Sequence, residues 1–173
     1  MGSKAELNPV AAIRLFPSFP VVLTVMGDED SNIITVGLVH VFSFRPTVLG
    51  VGIAPSRYSH ELLHRYPDFT VNVPGKDLVE ETNYCGAASG RKVDKFHETG
   101  LTRRESQEIS SPGIEECRII FECRKTEAID VGDHTWFLGE VARAEQDEDY
   151  VRERTLMYWS GDFRTIGDII RKK

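Results

Sequence analysis

About six runs rich in β-branched residues are spread along the chain: Val21 to Met26, Ile33 to Val39, Thr47 to Ile53, Phe69 to Val73, Cys117 to Lys125 and Thr135 to Ala144. Only short helical stretches separate them. Parallel strands need longer crossover helices than these, so a doubly wound α/β sheet is excluded. A mainly antiparallel β-barrel with short helices packed outside is expected, because closure hides the edges that the strands would otherwise leave open.

The connections carry their own signals. Asn8 and Pro9 read as N-cap and first residue of a short helix through Phe16, stopped by Pro17. Gly27 to Ser31 supplies turn chemistry for a hairpin between the first two strands, and Arg45-Pro46 a turn before the third. A helix is expected over Ser56 to Tyr66, ending at Pro67. Asp77 three residues before Glu80 is a variant of the capping box, with Gly86 placed to end the helix that it opens. Ser89 to Phe96 reads as a polar loop with a helical turn, and Thr99 to Gly113 as mostly loop. In Cys117 to Lys125, residues Cys117, Ile119, Phe121 and Cys123 point one way, and Arg118, Glu122 and Arg124 the other. Val131 to Asp133 makes the turn back, and Thr165 to Arg171 reads as a final helix.

With 173 residues, 40% of them hydrophobic, the chain suits one well-buried domain, 1–173. The net charge of −6, with both signs interspersed, indicates neither a nucleic acid nor an anionic membrane as partner. Neither a membrane span nor a signal-peptide core is present, so a soluble, cytoplasmic protein is expected. Cys85, Cys117 and Cys123 form no CxxC pair and read as reduced thiols.

The densest chemistry lies in Thr47 to Asn72, for which three readings compete. Ser56, Arg57 and Ser59 fall at the first turn of a helix, where free N–H groups and the positive dipole end attract an anion such as phosphate. The same helix spells HELLH, His60 to His64, the HExxH zinc signature, though Pro67 cuts it off almost at once. GVGIAP brushes against a dinucleotide fingerprint, but Pro55 stands where a small residue is needed and no long helix follows.

Several segments, in order along nearly the whole chain, resemble the flavin-reductase-like family of FMN-binding split barrels, which includes flavoredoxins. They are SNIITVGLVHVFSFRP (31–46), SRYSHELL (56–63), FTVNVP (69–74), NYCGAASGRKVDKF (83–96), GLT (100–102), ECR (122–124), GDHTWFLGEV (132–141) and LMYWSGDFRTIG (156–167). The resemblance implies an antiparallel Greek-key split β-barrel, mainly β with short helices. It also implies a homodimer with FMN near the interface, NADH or NADPH as electron donor, an unknown acceptor and no metal. The cofactor positions it implies are Thr35, Val36, Gly37, Leu38, Phe42, Ser43, Arg57, Tyr58, Ser59, His60, Cys85, Ser89, Gly90 and Lys95, with His134 as a positioning group near flavin or nicotinamide. Many relatives have Ser or an aromatic where this chain has Gly37, Leu38 and Val39, so ring contacts there fall to the backbone.

Each feature also has a plainer reading. Ser56 caps a surface helix and Arg57 is solvated; Arg91, Lys92 and Lys95 are a solvated charge run; Cys85 is buried and inert; His134 is a turn histidine bonded to backbone. In function, a flavin reductase-like oxidoreductase stands beside an FMN-binding electron carrier with no reductase activity of its own, and a zinc hydrolase stands third.

Overall fold

The computed structural model describes residues 8, 9, 12, 15 and 20–171. The expected helix from Asn8 to Phe16 falls mostly outside the described residues. A seven-stranded antiparallel sheet dominates the chain. Its strands are β1 (Val22–Met26), β2 (Asn32–Val36), β3 (Val39–Phe44), β4 (Thr47–Ile53), β5 (Asp68–Val73), β8 (Ile119–Val131) and β9 (His134–Gln146). They lie in the order β2-β1-β5-β8-β9-β4-β3. The two end strands, β2 and β3, are consecutive in sequence, so the sheet must curl until its edges face each other across Gly37 and Leu38. The result is a barrel with a seam.

That seam corrects one expectation. The run Ile33 to Val39 is not one strand: β2 ends at Val36, opposite Val22 of β1, and Val39–Phe44 forms a strand of its own against β4. Leu38 already belongs to the far edge, its carbonyl accepting from the Gly52 N–H at 2.7 Å.

Every residue of β1 is buried because both of its faces are covered, which is why VLTVM is continuously apolar apart from Thr24 rather than alternating. Inside the barrel, Ile34, Val36, Val51, Phe69, Val71 and Phe137 pack with Leu62 and Leu63 of helix α1 (Tyr58–Arg65). Each of those two leucines contributes about 1.5–3 kcal/mol by burial. On the outer side, Leu23, Val25 and Ile33 meet Cys85 of α2 (Val79–Ala87) and Phe96 of α3 (Lys95–Thr99). The short pairs β6 (Arg103–Arg104) and β7 (Gly113–Ile114) finish that layer.

Three further expectations change. Asp77 does not cap α2; it pairs with Arg118 at 2.7 Å, and α2 follows a 3-10 turn at Lys76–Leu78. Gly86 lies inside α2, against Thr35 of β2, rather than ending it. In β8 the alternation holds only from Ile119: Cys117 lies before the strand and packs in the outer layer, whereas Phe121 and Cys123 face the barrel interior. Glu122 is buried on the opposite face, accepting from the Gln107 and Glu108 N–H groups at 3.1 and 2.7 Å. β8 and β9 run on to a two-residue turn at Gly132 and Asp133, where Gly132 has φ 63°.

The end of the chain is not helical. It crosses the barrel at bridges between Thr155 and Gly75 and between Met157 and Pro20. It then forms a hairpin, β10 (Met157–Trp159) and β11 (Asp162–Arg164), turned by Ser160 (φ 54°) and Gly161 (φ 99°).

Candidate functional site: a polar cleft on the open edge of β2

Among the described residues no strand pairs with the outer edge of β2. α1 begins on one side of that edge, and the end of α2 with the loop through Gly90 forms the other.

At the start of α1 the N-cap is Arg57, in extended backbone and with no capping side chain, so Ser56 is not the cap expected from sequence. Of the first-turn N–H groups of α1, that of His60 donates to the Arg57 carbonyl at 3.0 Å, and no capping side chain takes those of Tyr58 and Ser59. Ser59 is buried and its Oγ accepts from Asn32 Nδ2 at 2.8 Å, which ties α1 to β2 and leaves the hydroxyl proton to be donated elsewhere.

The opposite wall is held by Lys95. Its buried ammonium donates to the Ile33 and Cys85 carbonyls, both at 2.7 Å, clamping the β2 edge to the end of α2. Burial lowers the Lys95 pKa to about 8; Cys85 works against the shift and Arg57 adds to it. Burial also pushes the Cys85 thiol up to about 11, which leaves it a neutral, inert group at ordinary pH. Gly90 has to be glycine: a Cβ there would run into Asn32 Oδ1.

These walls enclose a cavity of about 140 Å³ lined by Asn32, Ser56, Arg57, Tyr58, Ser59, Cys85, Ser89, Gly90 and Lys95 among others. It opens into a chamber of about 390 Å³ toward Glu29, Asp30, Arg91, Lys92 and Arg103. Beyond Gly86 a third hollow, about 350 Å³, is lined by Val21, Thr35, Gly37, Thr82, Asn83, Tyr158 and Phe163.

Of the residues singled out from sequence, Arg57, Tyr58, Ser59, Cys85, Ser89, Gly90 and Lys95 thus meet at one cavity, and Thr35 and Gly37 at the hollow beyond it. Val36 is buried, packed into the barrel interior. Phe42 and Ser43 lie on β3, the first edge-on to Trp136 at 5.3 Å, the second accepting from the Arg45 N–H at 3.2 Å. Leu38 lies beside Gly52. His134 meets Asp133 at 2.7 Å beside the β8–β9 turn and lines none of the three cavities.

His60 points away from the cleft. Thr135 Oγ1 donates its single proton to Asp130 at 2.6 Å, so the 2.9 Å contact with His60 Nε2 requires that nitrogen to be the donor. It then has no lone pair for a metal. Burial and the neighbouring His64 lower the His60 pKa, and both rings pack edge-on against Phe137. Among the described residues no group of three or more His, Cys, Asp or Glu gathers into a metal-binding set.

Sequence reasoning read Gly27 to Ser31 as a turn but did not bring its Glu29 and Asp30 to the cleft, and it missed Asn32 and the aromatic hairpin. The hairpin left a local sign, the Ser160-Gly161 turn between Tyr158-Trp159 and Phe163. No described helix is long and apolar enough to cross a membrane.

A curled antiparallel sheet with this seam defines a split-barrel protein. Comparison with known proteins makes the class specific: a family model described as the flavin reductase like domain matches residues 13–167. The chain belongs to that family. An uncharacterized protein of Archaeoglobus fulgidus is 40% identical over 119 residues, 69% of this chain and 67% of that one. The chain spans 52% to 67% of the length of three curated relatives that it matches. An NADH-dependent FMN reductase of Streptomyces nodosus is 28% identical over 163 residues, 91% of this chain and 83% of that one. Among solved structures, a flavoredoxin from Methanosarcina acetivorans has a TM-score of 0.86 at 28% identity, covering 99% of this chain and 95% of that chain.

Proposed function

We propose that the cleft binds FMN and that the protein is a flavin reductase-like oxidoreductase, taking electrons from NADH or NADPH and passing them to a small-molecule acceptor. One observation carries this reading: an uncapped helix start with Arg57 and the Ser59 hydroxyl lies beside an unpaired strand edge, so one cleft offers an anion site and a ladder of backbone donors and acceptors.

The residues fit the two ends of FMN. The phosphate, with a charge near −2, is met by Arg57, Lys95, the Ser59 hydroxyl and the α1 N–H groups, all charge-assisted partners. The ring has an edge that both donates and accepts. Because Ile33 turns its carbonyl outward to Lys95, the two-residue period of β2 turns the backbone of Thr35 outward as well. Thr35 and Gly37 therefore present the polar edge through their backbone. Tyr158 and Phe163 line the far end of the hollow beside them.

When bound, the flavin supplies the redox chemistry, and the chain has only to hold it in place and align the donor. No side chain has to move a proton, and His134 acts as a positioning group in the assembled protein. In this reading the protein is a single-domain homodimer in the cytoplasm. Its interface is the outer face of β3, β4 and β9. Leu38, Trp136 and Ile129 form one apolar row there, and Phe42 lies over Gly50, which has no side chain to lift it.

A second reading, an FMN-binding electron carrier, draws on the hairpin, whose Tyr158 and Phe163 line the hollow at Thr35 and Gly37 and narrow the room for a second ligand there. A visible spectrum of the purified protein, then anaerobic NADH or NADPH, separates the two. A flavin band that bleaches supports the reductase; one that persists supports the carrier; protein that neither holds nor takes up flavin refutes both.

A further inference from the structure

Lys95 stands where the two hollows of the cleft join. It lines both the cavity of about 140 Å³ and the chamber of about 390 Å³, though only 4% of its surface is exposed. A lysine nitrogen has four tetrahedral positions. Here one is taken by its own side chain and two by bonds to the Ile33 and Cys85 carbonyls, both at 2.7 Å, so one remains. In the ammonium form that position is a third N–H; in the amine it is a lone pair. Burial draws the Lys95 pKa down to about 8, and Arg57 adds to the fall, so the amine is well populated at a pH where an ordinary lysine is almost wholly ammonium. Desolvation beside another cation is how a lysine becomes a nucleophile toward carbonyl carbon. The same cavity holds Arg57, the Ser59 hydroxyl and the uncapped start of α1, which attract an anion. A nucleophile and an anion corner thus share one small space.

We propose that Lys95 is a covalent capture site for small aldehydes that carry a phosphate. The phosphate is held at Arg57 and Ser59, and the amine of Lys95 attacks the aldehyde carbon. The aldehyde oxygen departs as water with both amine protons, and a C=N bond joins ligand and chain. No oxidant or reductant is needed, and hydrolysis reverses the step. The imine nitrogen carries at most one proton, so only one of the two carbonyls keeps its donor, and capture loosens the clamp between β2 and α2. The adduct occupies the corner that the flavin reading gives to the FMN phosphate. In that reading capture blocks the cofactor, yet capture itself needs no flavin.

The probes are pyridoxal 5′-phosphate and pyridoxal, its phosphate-free counterpart, with borohydride to fix the imine and peptide mass mapping to find it. Apoprotein should take up one pyridoxyl phosphate, at Lys95, on the order of tenfold faster than it takes up pyridoxal, the worth of one charge-assisted contact. The rate should level off above about pH 8. Arg57→Ala should remove most of the preference for the phosphate. Lys92→Arg, which replaces the other lysine lining the chamber, should leave the labelling of Lys95 unchanged. Labelling confined to Lys92 or to exposed lysines overturns the proposal, as do equal rates for the two aldehydes in wild type. FMN added first should slow the labelling. Phosphate-dependent labelling of Lys95 that FMN leaves unchanged upholds the capture site and contradicts the flavin reading, so the two fail separately.

Discussion

Arg57 and Lys95 share the cleft but play different parts. Arg57 makes no ion pair among the described residues and caps its helix only through backbone, so in the proposed reading its guanidinium serves the ligand rather than the fold. Arg57→Ala should weaken FMN by about tenfold to a hundredfold, the ~1.5 to 3 kcal/mol of a charge-assisted bond. Riboflavin binding and thermal stability should hardly move. Equal losses for FMN and riboflavin would transfer the phosphate to Arg91, Lys92 or Lys95. Lys95 is structural as well, and its lowered pKa of about 8 makes it a source of pH dependence. Above about pH 8 the folded chain releases this proton while the unfolded chain, at its ordinary 10.5, keeps it, so stability rises with pH. The opposing shift of Cys85 enters only from its ordinary 9.0 upward. Denaturant unfolding of apoprotein between about pH 7 and 9 should show a rise that Lys95→Met lacks. FMN affinity should fall over the same window as the cation is lost, and a flat wild-type profile would contradict the assignment. The grouping of Ser56, Arg57 and Ser59 at a helix start was legible because it depends on neighbours in sequence. The clamp from Lys95 to Ile33 and the bond from Asn32 to Ser59 span too much chain to leave a local pattern.

Among the elements, strands were legible where composition and burial agree, as in β1, β4 and β5. The break between β2 and β3 was not, because Val36 to Phe44 is mostly apolar and nothing local says that the chain changes edges there. The tail shows the reverse failure. Thr165 to Arg171 has helical spacing, yet the chain departs at the Ser160-Gly161 turn and the segment beyond gains no surface to pack on; Ile169 and Ile170 are exposed. The hairpin before it is anchored by buried Leu156, whose N–H donates to the Pro74 carbonyl at 3.0 Å. Because that anchor lies outside β10 and β11, the double variant Tyr158→Ala/Phe163→Ala should leave the melting temperature within a few degrees, as for partly exposed side chains. Opening the hollow at Thr35 and Gly37 should nevertheless speed flavin release, read by stopped-flow dilution. An unchanged release rate would place the ring elsewhere.

The molecule as a whole exposes an apolar face that a lone barrel has no use for: Leu38 just before β3 and Phe42 on it, with Ile129 and Val131 at the end of β8. A symmetric pairing of two copies covers it. Ile129 is 41% exposed, so Ile129→Asp should leave the fold intact while shifting light-scattering mass from dimer to monomer. A monomeric wild type that still binds flavin tightly would refute the pairing. The strand order that places β2 at an open edge was not readable from sequence, and that edge, more than any single side chain, is what turns an anion-binding corner into a cofactor cleft. The most direct measurement is therefore equilibrium titration of wild-type apoprotein with FMN and riboflavin under one set of conditions. The account predicts one FMN per chain, held on the order of tenfold or more tighter than riboflavin. Equal affinities, or no saturable binding of either, would contradict it.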